Sequence, residues 1–358
     1  MSPPSLPQKS HVILCRPGFS ELLCSELATF HSIDGQVLGP ACVGLKESTV
    51  VPPLKTMVFA RQIMPNAILV KDLEPGKAAA EIVKRLQILA KRSNSPEGHW
   101  TIHSFSMDDD DALAAARKIA KAFRATLKKT DLEMDSNYLD PEIFASTARK
   151  NKDFVIQIFG SSKDQVYFNI SSLSTGISIH EGGVQRMKRF HDAPSRSASK
   201  LSEAFLFMGK HPKQDDTGVD LGAAPGGWSM VLAFHGTHVI AIDHSDLDIQ
   251  SKTHLAGSIR HLRENGLKYL PEKPVDWLVC DMVMNGSQTL EVLSNWISGN
   301  HMKDFVVNVK LPNNNSWPKA IEALKFCETH RQTGAWKFIG AKHLYHDRHE
   351  ITLMGERA

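Results

Sequence analysis

Two ionisable residues stand at the ends of apolar segments, where an unpaired charge is costly unless it has a partner or a task. Lys310 closes the apolar run 306–309, and Asp281 closes the run 275–280. A lysine and a carboxylate together can activate a hydroxyl, because a hydroxyl is a poor nucleophile until a base takes its proton. The sequence therefore makes Lys310 either a residue that takes part in chemistry or a lysine that snorkels from the end of a sheet.

A turn of small residues follows a third apolar segment. Residues 218–221 have the pattern of a short buried strand, and apolar periodicity resumes at Trp228. Pro225 stiffens the turn between them, while Gly226 and Gly227 lack a Cβ and allow a ligand to approach the backbone. The free N–H groups of the following helix then face the ligand, which suits a carboxylate or a phosphate.

The spacing of this turn excludes two common nucleotide-binding motifs. A dinucleotide fingerprint has the pattern G-x-G-x-x-G, and a P-loop ends in Gly-Lys-Ser/Thr; neither occurs between 218 and 228. The run Gly222-Ala223-Ala224-Pro225-Gly226-Gly227-Trp228, after the acidic Asp220, resembles the first motif of S-adenosylmethionine (SAM) methyltransferases. It is most similar to the branch that methylates ribose hydroxyls of RNA.

Strands and helices alternate regularly from residue 192 onward, which predicts an α/β domain with an open, mostly parallel sheet. Ligands of such sheets bind at the carboxyl ends of the strands. The last two strands are expected to close the sheet in antiparallel pairing. We predict helices over 198–207, 228–235, 289–297 and 318–328, and strands over 218–221, 239–243, 259–262, 275–281, 305–310, 336–343 and 350–354.

Polar residues fall at several of these strand ends. Asp243 ends the second strand, about twenty residues past the glycine turn, where nucleotide folds place a carboxylate that binds ribose hydroxyls. Asn265 lies just past the third strand and is expected beside an adenine. Asp281 is expected near the methyl sulfonium or near a catalytic lysine.

Four charged residues in chain order resemble the Lys-Asp-Lys-Glu tetrad of 2′-O-ribose methyltransferases: Lys200, Asp281, Lys310 and Glu350. The resemblance implies that Lys310 is the general base and that the carboxylates orient the two ammonium groups. Lysine has an ordinary pKa of about 10.4. We expect partial burial and the neighbouring cation Lys200 to lower the pKa of Lys310.

A wider resemblance covers nearly the whole chain. Segments 13–19, 192–197, 279–283, 308–312 and 344–348, together with the glycine turn, are similar to the RlmM family, bacterial methyltransferases that act on a cytidine 2′-hydroxyl of 23S ribosomal RNA. This resemblance implies SAM as the cofactor, S-adenosylhomocysteine as the product, a large-subunit assembly precursor as an alternative substrate, and no metal. It implies SAM contacts at Ser197, Ala224, Pro225, Gly226, Gly227, Asp243, Asn265 and Asp281.

The front half mixes strands, helices and a hairpin without a phosphate-binding turn, which is an α+β pattern. This arrangement resembles a THUMP domain, a module associated with RNA binding, preceded by a small ferredoxin-like piece. We predict a ferredoxin-like piece at 1–55, a THUMP-like domain at 56–172, a linker at 173–192 and a methyltransferase domain at 193–358.

Net charge is only +3, from 42 Lys and Arg against 39 Asp and Glu, so clusters are more informative than the total. One cluster crowds the linker at Arg186, Lys188, Arg189 and Arg196. Another follows a predicted helix: Arg117, Lys118, Lys121, Arg124, Lys128 and Lys129. A basic helix face is either a solvated surface or an RNA contact.

Several classes are disfavoured by composition. No run of eighteen apolar residues is present, and the polar, proline-rich start lacks the apolar core of a signal peptide, which favours a cytoplasmic protein. The five cysteines form no C-x-x-C pair, so neither a zinc site nor a disulfide framework is indicated. The aspartates 108–111 are expected to cap a helix rather than bind a cation. A monomer is the default expectation.

Two alternative functions remain open at this point. Base methylation at cytosine carbon 5 needs a nucleophilic cysteine, but Cys280 lies inside an apolar strand, where it is expected in the core. Amino-group methylation uses an Asn/Asp-Pro-Pro-aromatic loop, which residues 281–284 do not match. A non-catalytic RNA-binding protein is the second alternative, and an intact tetrad argues against it.

Overall fold

The computed structural model describes residues 9–71, 74–92, 98–130, 137–185, 193–249 and 255–358. Contacts divide the chain into two compact units, Met1–Gln185 and Arg186–Ala358. The last seven residues of the predicted linker, 186–192, which include Arg186, Lys188 and Arg189, lie outside the described residues. The division of the front half at residue 55 stays a prediction.

The first unit is built on one seven-stranded sheet with the order β2-β3-β1-β4-β7-β6-β5, in which only β5 and β6 pair in parallel. Strand β1, near the start of the chain, pairs with β4, which lies beyond residue 60, so residues on both sides of position 55 belong to the same sheet. The elements are β1 (Lys9–Leu14), α1 (Ser20–His31), β2 (Gln36–Gly39), β3 (Cys42–Leu45), β4 (Gln62–Lys71), α2 (Pro75–Arg92), β5 (Trp100–Ser106), α3 (Asp110–Leu127), α4 (Pro141–Thr147), β6 (Phe154–Ser162) and β7 (Gln165–Ser172).

Helix α3 shows why the front half folds as it does. Ile119, Phe123 and Leu127 recur at helical spacing and are buried against the sheet. Its N-terminus is capped by Asp109, whose side chain accepts a hydrogen bond from the Ala112 N–H. The aspartate run therefore caps a helix, as predicted, and the basic residues of the helix lie on its exposed face.

The second unit carries a sheet with the order β10-β9-β8-β11-β12-β14-β13. The five strands β10, β9, β8, β11 and β12 are mutually parallel, while β14 is antiparallel to both β12 and β13. The predicted α/β class and the antiparallel closing pair are therefore confirmed. The elements are α5 (Ala198–Met208), β8 (Thr217–Leu221), α6 (Gly227–Phe234), β9 (His238–Ile242), β10 (Ser258–Leu262), β11 (Val275–Cys280), α7 (Gly286–Ser298), β12 (Met302–Lys310), α8 (Trp317–Gln332), β13 (Trp336–Lys342) and β14 (Glu350–Arg357).

Burial of β8, β11 and β12 explains their mainly apolar character. Val219, Val279 and Val306 have almost no exposed surface, and the layers above them include Trp228 and Leu201. Parallel strands covered on both faces need apolar side chains on both faces. Polar side chains are thereby concentrated at the ends of the strands, where the candidate site lies.

Candidate functional site

Three of the four tetrad residues are brought together by strand pairing. Strands β8, β11 and β12 are parallel, so Asp281, which follows β11, lies at the same sheet edge as the end of β12. In the antiparallel pair β12–β14, Lys310 is the direct register partner of Glu350. The fourth residue, Lys200, reaches this edge from the first turn of α5.

The four side chains form a closed ring of ion pairs. Nζ of Lys310 lies 2.5 Å from Oδ1 of Asp281 and 3.5 Å from Oε2 of Glu350. Nζ of Lys200 lies 2.6 Å from Oε1 of Glu350 and 3.5 Å from Oδ2 of Asp281. Each side chain is at most a quarter exposed. The ring holds two positive and two negative charges, so it is electrically balanced when all four groups are ionised.

The pKa of Lys310 differs from the expectation. Burial lowers this pKa, but the charges of Asp281 and Glu350 and their hydrogen bonds outweigh burial and raise it above its ordinary value. The expectation of a lowered pKa was therefore wrong, because the two carboxylates that bind the ammonium favour its charged form more than burial disfavours it. Burial likewise raises the pKa of Glu350, but Lys200 and Lys310 outweigh it and lower the net value.

The glycine turn connects β8 to α6 beside this ring. Gly222 and Gly226 have φ of +76° and +111°, backbone conformations that favour glycine. A Cβ at Gly226 would lie 2.8 Å from Ile249, and one at Gly227 would lie 2.3 Å from the Ser195 hydroxyl. Neighbouring loops thus require both glycines for close packing. The role predicted for them in ligand approach stays a prediction.

The other residues of the turn are tied to the surrounding loops. The Ala224–Pro225 peptide bond is cis, and the Pro225 carbonyl accepts a hydrogen bond from the Asp248 N–H. Ser197 immediately precedes α5, and its carbonyl accepts a hydrogen bond from the Trp228 indole N–H at 2.8 Å. The start of α5, which carries Lys200, is therefore attached directly to the helix that follows the turn.

Asp243 and Asn265 lie at the carboxyl edge, as the sheet requires. Asp243 Oδ2 accepts from the Ala224 N–H at 3.0 Å, and Oδ1 accepts from the Ser245 N–H at 2.8 Å. The carboxylate thereby fixes the glycine turn and is itself only partly buried. Asn265 is exposed, and its side-chain oxygen accepts from the Leu267 N–H. The adenine contact expected of Asn265 stays a prediction.

Asp220 turns away from the carboxyl edge and into the protein. It is 1% exposed and accepts a hydrogen bond from the Ser229 hydroxyl at 2.7 Å. Burial raises the pKa of this carboxyl to about 7, since the bond to Ser229 offsets desolvation only in part. Asp220 therefore joins the strand to α6 as a structural group.

Asp220→Asn is expected to stabilise the protein at pH 8 but not at pH 4. A folded-state pKa above the unfolded one means that the native state binds more protons between about pH 4 and pH 7, so wild-type stability falls across this range. Asparagine keeps the acceptor for Ser229 without the charge, and the gain above pH 7 is about 1–3 kcal/mol. Denaturant unfolding at both pH values measures it; an equal effect at both would contradict the assignment.

Two buried polar residues behind the ring were missed by the sequence reasoning. Asn308 is fully buried and donates from Nδ2 to Asp281 Oδ1 at 2.9 Å, while Thr352 is fully buried beside it. The available signal was an amide side chain inside the apolar run 306–309, two residues before Lys310. A buried amide needs hydrogen-bond partners, so its position predicts polar neighbours.

The cysteine required for carbon-5 methylation is absent from the accessible edge. Cys280 is 1% exposed, and burial raises the pKa of its thiol to about 12. A reactive cysteine needs an exposed thiolate. Cys280 is thus a core residue, in line with its apolar strand.

The described residues contain neither a candidate metal site nor a candidate membrane span. Within the described ranges, no three or more His, Cys, Asp and Glu side chains group in a way that could hold a metal ion. None of the described helices combines the length and the apolar character that crossing a bilayer requires.

The sheet order and the site at its carboxyl edge define an α/β methyltransferase domain, and residues 193–314 match the model for the FtsJ-like methyltransferase family. The chain belongs to the ribosomal RNA large subunit methyltransferase M family. A member from Haemophilus influenzae (strain PittEE) is 31% identical over 95% of this chain and 97% of its own length. A member from Aggregatibacter aphrophilus is 32% identical over 83% of this chain and 81% of its own.

The family supports the methyltransferase fold predicted from the glycine turn and the strand order. Among solved structures, TrmN from Thermus thermophilus covers 98% of this chain at 13% identity, with a TM-score of 0.34, which is too low to bear on the fold.

Proposed function

We propose that this chain transfers a methyl group from SAM to the ribose 2′-hydroxyl of a cytidine in 23S ribosomal RNA. The observation that carries the proposal is the convergence of Lys200, Asp281, Lys310 and Glu350 beside the glycine turn. Membership in the ribosomal RNA large subunit methyltransferase M family supports the reaction class and the RNA substrate. A monomer and a cytoplasmic location belong to the same proposal.

The residues at the carboxyl edge fit the chemistry of SAM. Asp243 keeps free lone pairs on a partly exposed carboxylate, which suits a ribose diol. The first N–H groups of α6 point toward the same edge and suit a carboxylate. Asp281 supplies a negative charge that suits the positively charged sulfonium of SAM. Ser197, Ala224, Pro225, Gly226, Gly227 and Asn265 complete the proposed contacts.

Within this proposal the tetrad activates the hydroxyl. SAM, when bound, supplies the electrophilic methyl group. Lys310 accepts the 2′-hydroxyl proton at Nζ, and Asp281 and Glu350 hold that nitrogen in place and stabilise the resulting ammonium. Lys200 keeps the two carboxylates oriented from the opposite side. Closure of the edge by RNA excludes water, which favours the uncharged lysine that a base must be.

The front unit is proposed to bind RNA as a THUMP-like module. The exposed face of α3 carries Lys118 and Lys121, Lys128 follows its last residue, and the Arg124 guanidinium lies 4.4 Å from the Tyr138 ring centre. Lysine and arginine bind phosphates, and such contacts position an RNA without reading its sequence. The net charge of +3 is small, so substrate shape is expected to contribute to selection.

The proposed reaction predicts an alkali-resistant product. We expect 23S RNA from cells that lack the protein to accept labelled methyl groups from SAM, and the label to survive alkaline hydrolysis in a dinucleotide with a 5′ cytidine. A 2′-O-methyl group removes the nucleophile that cleaves the adjacent phosphodiester, whereas a methylated base leaves it in place. Assembly intermediates serve as a second substrate, and Lys310→Ala protein is the control. Label recovered in mononucleotides would establish base methylation instead.

A further inference from the structure

A chain of three buried polar side chains leads from the tetrad into the core. Asn308 Nδ2 donates to Asp281 Oδ1 at 2.9 Å, and the Thr352 hydroxyl donates to Asn308 Oδ1 at 2.7 Å. Thr352 Oγ1 also lies 2.9 Å from Asp347 Oδ2. Asn308, Thr352 and Asp347 are all fully buried. Three polar groups in a core are costly unless each satisfies another.

The donors along this chain all point the same way. Because Asn308 uses its N–H on Asp281, its oxygen must be the acceptor for Thr352. A hydroxyl has a single proton, so the contact between Thr352 and Asp347 is a hydrogen bond only if Asp347 supplies the proton. Burial raises the pKa of Asp347 well above its ordinary value, which agrees with a neutral carboxyl there.

We propose that Asn308, Thr352 and Asp347 form a positioning relay that keeps the Asp281 carboxylate facing Lys310. This inference rests on the proposed function, because it assigns to the relay the task of orienting a tetrad residue. None of the three contacts the reacting atoms. Asn308 presents a donor to the same Asp281 oxygen that Lys310 binds, so the carboxylate is fixed from two directions.

The role of Thr352 is to select one orientation of the Asn308 amide. The two ends of an amide have nearly the same shape, and without Thr352 the oxygen could face Asp281 and repel it. Asp347 holds Thr352 and also accepts from the Leu344 N–H at 2.9 Å, so it anchors the loop 344–348 to the relay. That loop is further fixed at Tyr345, whose N–H donates to Glu203 one turn beyond Lys200.

Thr352→Val removes the hydroxyl while keeping the branched shape that a strand favours. We expect kcat to fall by about tenfold, the scale of one hydrogen bond between uncharged groups. The KM for RNA is expected to stay unchanged and the affinity for SAM to change much less than kcat, since none of the three side chains touches either ligand and Asp281 is only one of the proposed SAM contacts. Thr352→Ser keeps the hydroxyl and is expected to restore kcat to near the wild-type value.

Thr237→Val is the matched control. Thr237 is also fully buried, but it precedes β9 at the opposite edge of the sheet. Its replacement is expected to leave kcat unchanged whatever it does to the melting temperature. If Thr352→Val and Thr237→Val share the same kcat, the relay is wrong; if serine fails to rescue Thr352→Val, it is wrong as well.

Asn308→Asp separates orientation from packing. Aspartate has almost the shape of asparagine but would place an acceptor, not a donor, against Asp281. A packing role predicts near-normal activity for this variant, whereas the relay predicts a loss of kcat of about 100-fold, more than for Thr352→Val. A near-normal kcat would overturn the relay.

The same experiment separates failure of the relay from failure of the proposed function. Wild-type and Lys310→Ala proteins are assayed alongside for alkali-resistant label. If wild type forms that product, Lys310→Ala does not, and the relay variants equal wild type, then only the relay is wrong. If wild type forms no such product, the proposed function fails and the relay fails with it.

Discussion

Replacing Lys310 by methionine is expected to lower turnover by about 10²- to 10⁴-fold, the contribution of a positioned general base. Methionine keeps the length and much of the volume of the side chain but cannot accept a proton. SAM binding, measured by calorimetry, is expected to persist, because Lys310 is assigned to the hydroxyl and not to the cofactor. Single-turnover methylation of the RNA measures the chemical step directly.

The pH dependence of wild type gives a second test of the same residue. Asp281 and Glu350 raise the pKa of Lys310, so nearly all of this lysine is protonated near neutrality. Between pH 7 and 9 the neutral fraction rises about tenfold per unit, and the rate of the chemical step is expected to rise with it. The residual rate of Lys310→Met should lack this slope.

Lys303→Met is the control, since Lys303 lies on the same strand but is 70% exposed and pairs with Asp276 at the far end. Wild-type turnover is expected for it. If Lys310→Met binds SAM and turns over as fast as wild type, then Lys310 is not the general base.

The placement of the tetrad could be predicted because it follows from sheet geometry. Asp281 and Lys310 end adjacent parallel strands, and Glu350 begins the antiparallel neighbour, so their side chains must meet at one edge. Apolar runs of five or six residues located those strands to within a few residues. The family resemblance added Lys200, whose helix position alone says nothing about its neighbours.

The balance of charges at that edge could not be predicted. Burial acts to lower the pKa of Lys310, and two carboxylates act to raise it; the sign depends on distances of 2.5 and 3.5 Å, which the spacing of residues in the sequence does not give. The residues that pack against the glycine turn could not be predicted from the sequence either. Ile249 and Ser195 come from separate loops, and they decide what a side chain at Gly226 or Gly227 would meet.

Local errors in the front half also have physical reasons. The residues 55–64 predict a short β-type run, but strand β4 begins only at Gln62, because a short 3₁₀ turn at Leu54–Thr56 follows Pro52 and Pro53. Helix α4, Pro141–Thr147, was missed because seven residues give too little periodicity for a helix to be recognised.

Glu350→Gln is expected to cost about 3–5 kcal/mol of stability at pH 7, the range for removing one partner of a buried ion pair. Glu350 binds Lys200 at 2.6 Å and Lys310 at 3.5 Å, and its side chain is 8% exposed. In the variant, two ammonium groups share Asp281 alone. Urea unfolding of the second unit measures the loss, and the exposed Glu322→Gln, paired with Lys319, is the control with a small effect.

The loss of stability in Glu350→Gln should disappear in acid. The variant should also change the pH dependence of the rate at alkaline pH, because Glu350 influences the pKa of Lys310. The pKa of Glu350 is lowered in the native state, so its contribution is present above the unfolded value near 4.5 and is lost as pH falls through the native pKa. Wild type and Glu350→Gln should therefore converge only once the pH lies below the native pKa of Glu350. With one carboxylate gone the pKa of Lys310 falls, so the alkaline rise in rate should begin at lower pH in the variant. A variant that is less stable at neutral pH yet reaches its rate plateau at lower pH would show that Glu350 both holds the ring together and sets the basicity of Lys310. An unshifted rate profile would mean that Glu350 holds the ring together but does not set the basicity of Lys310.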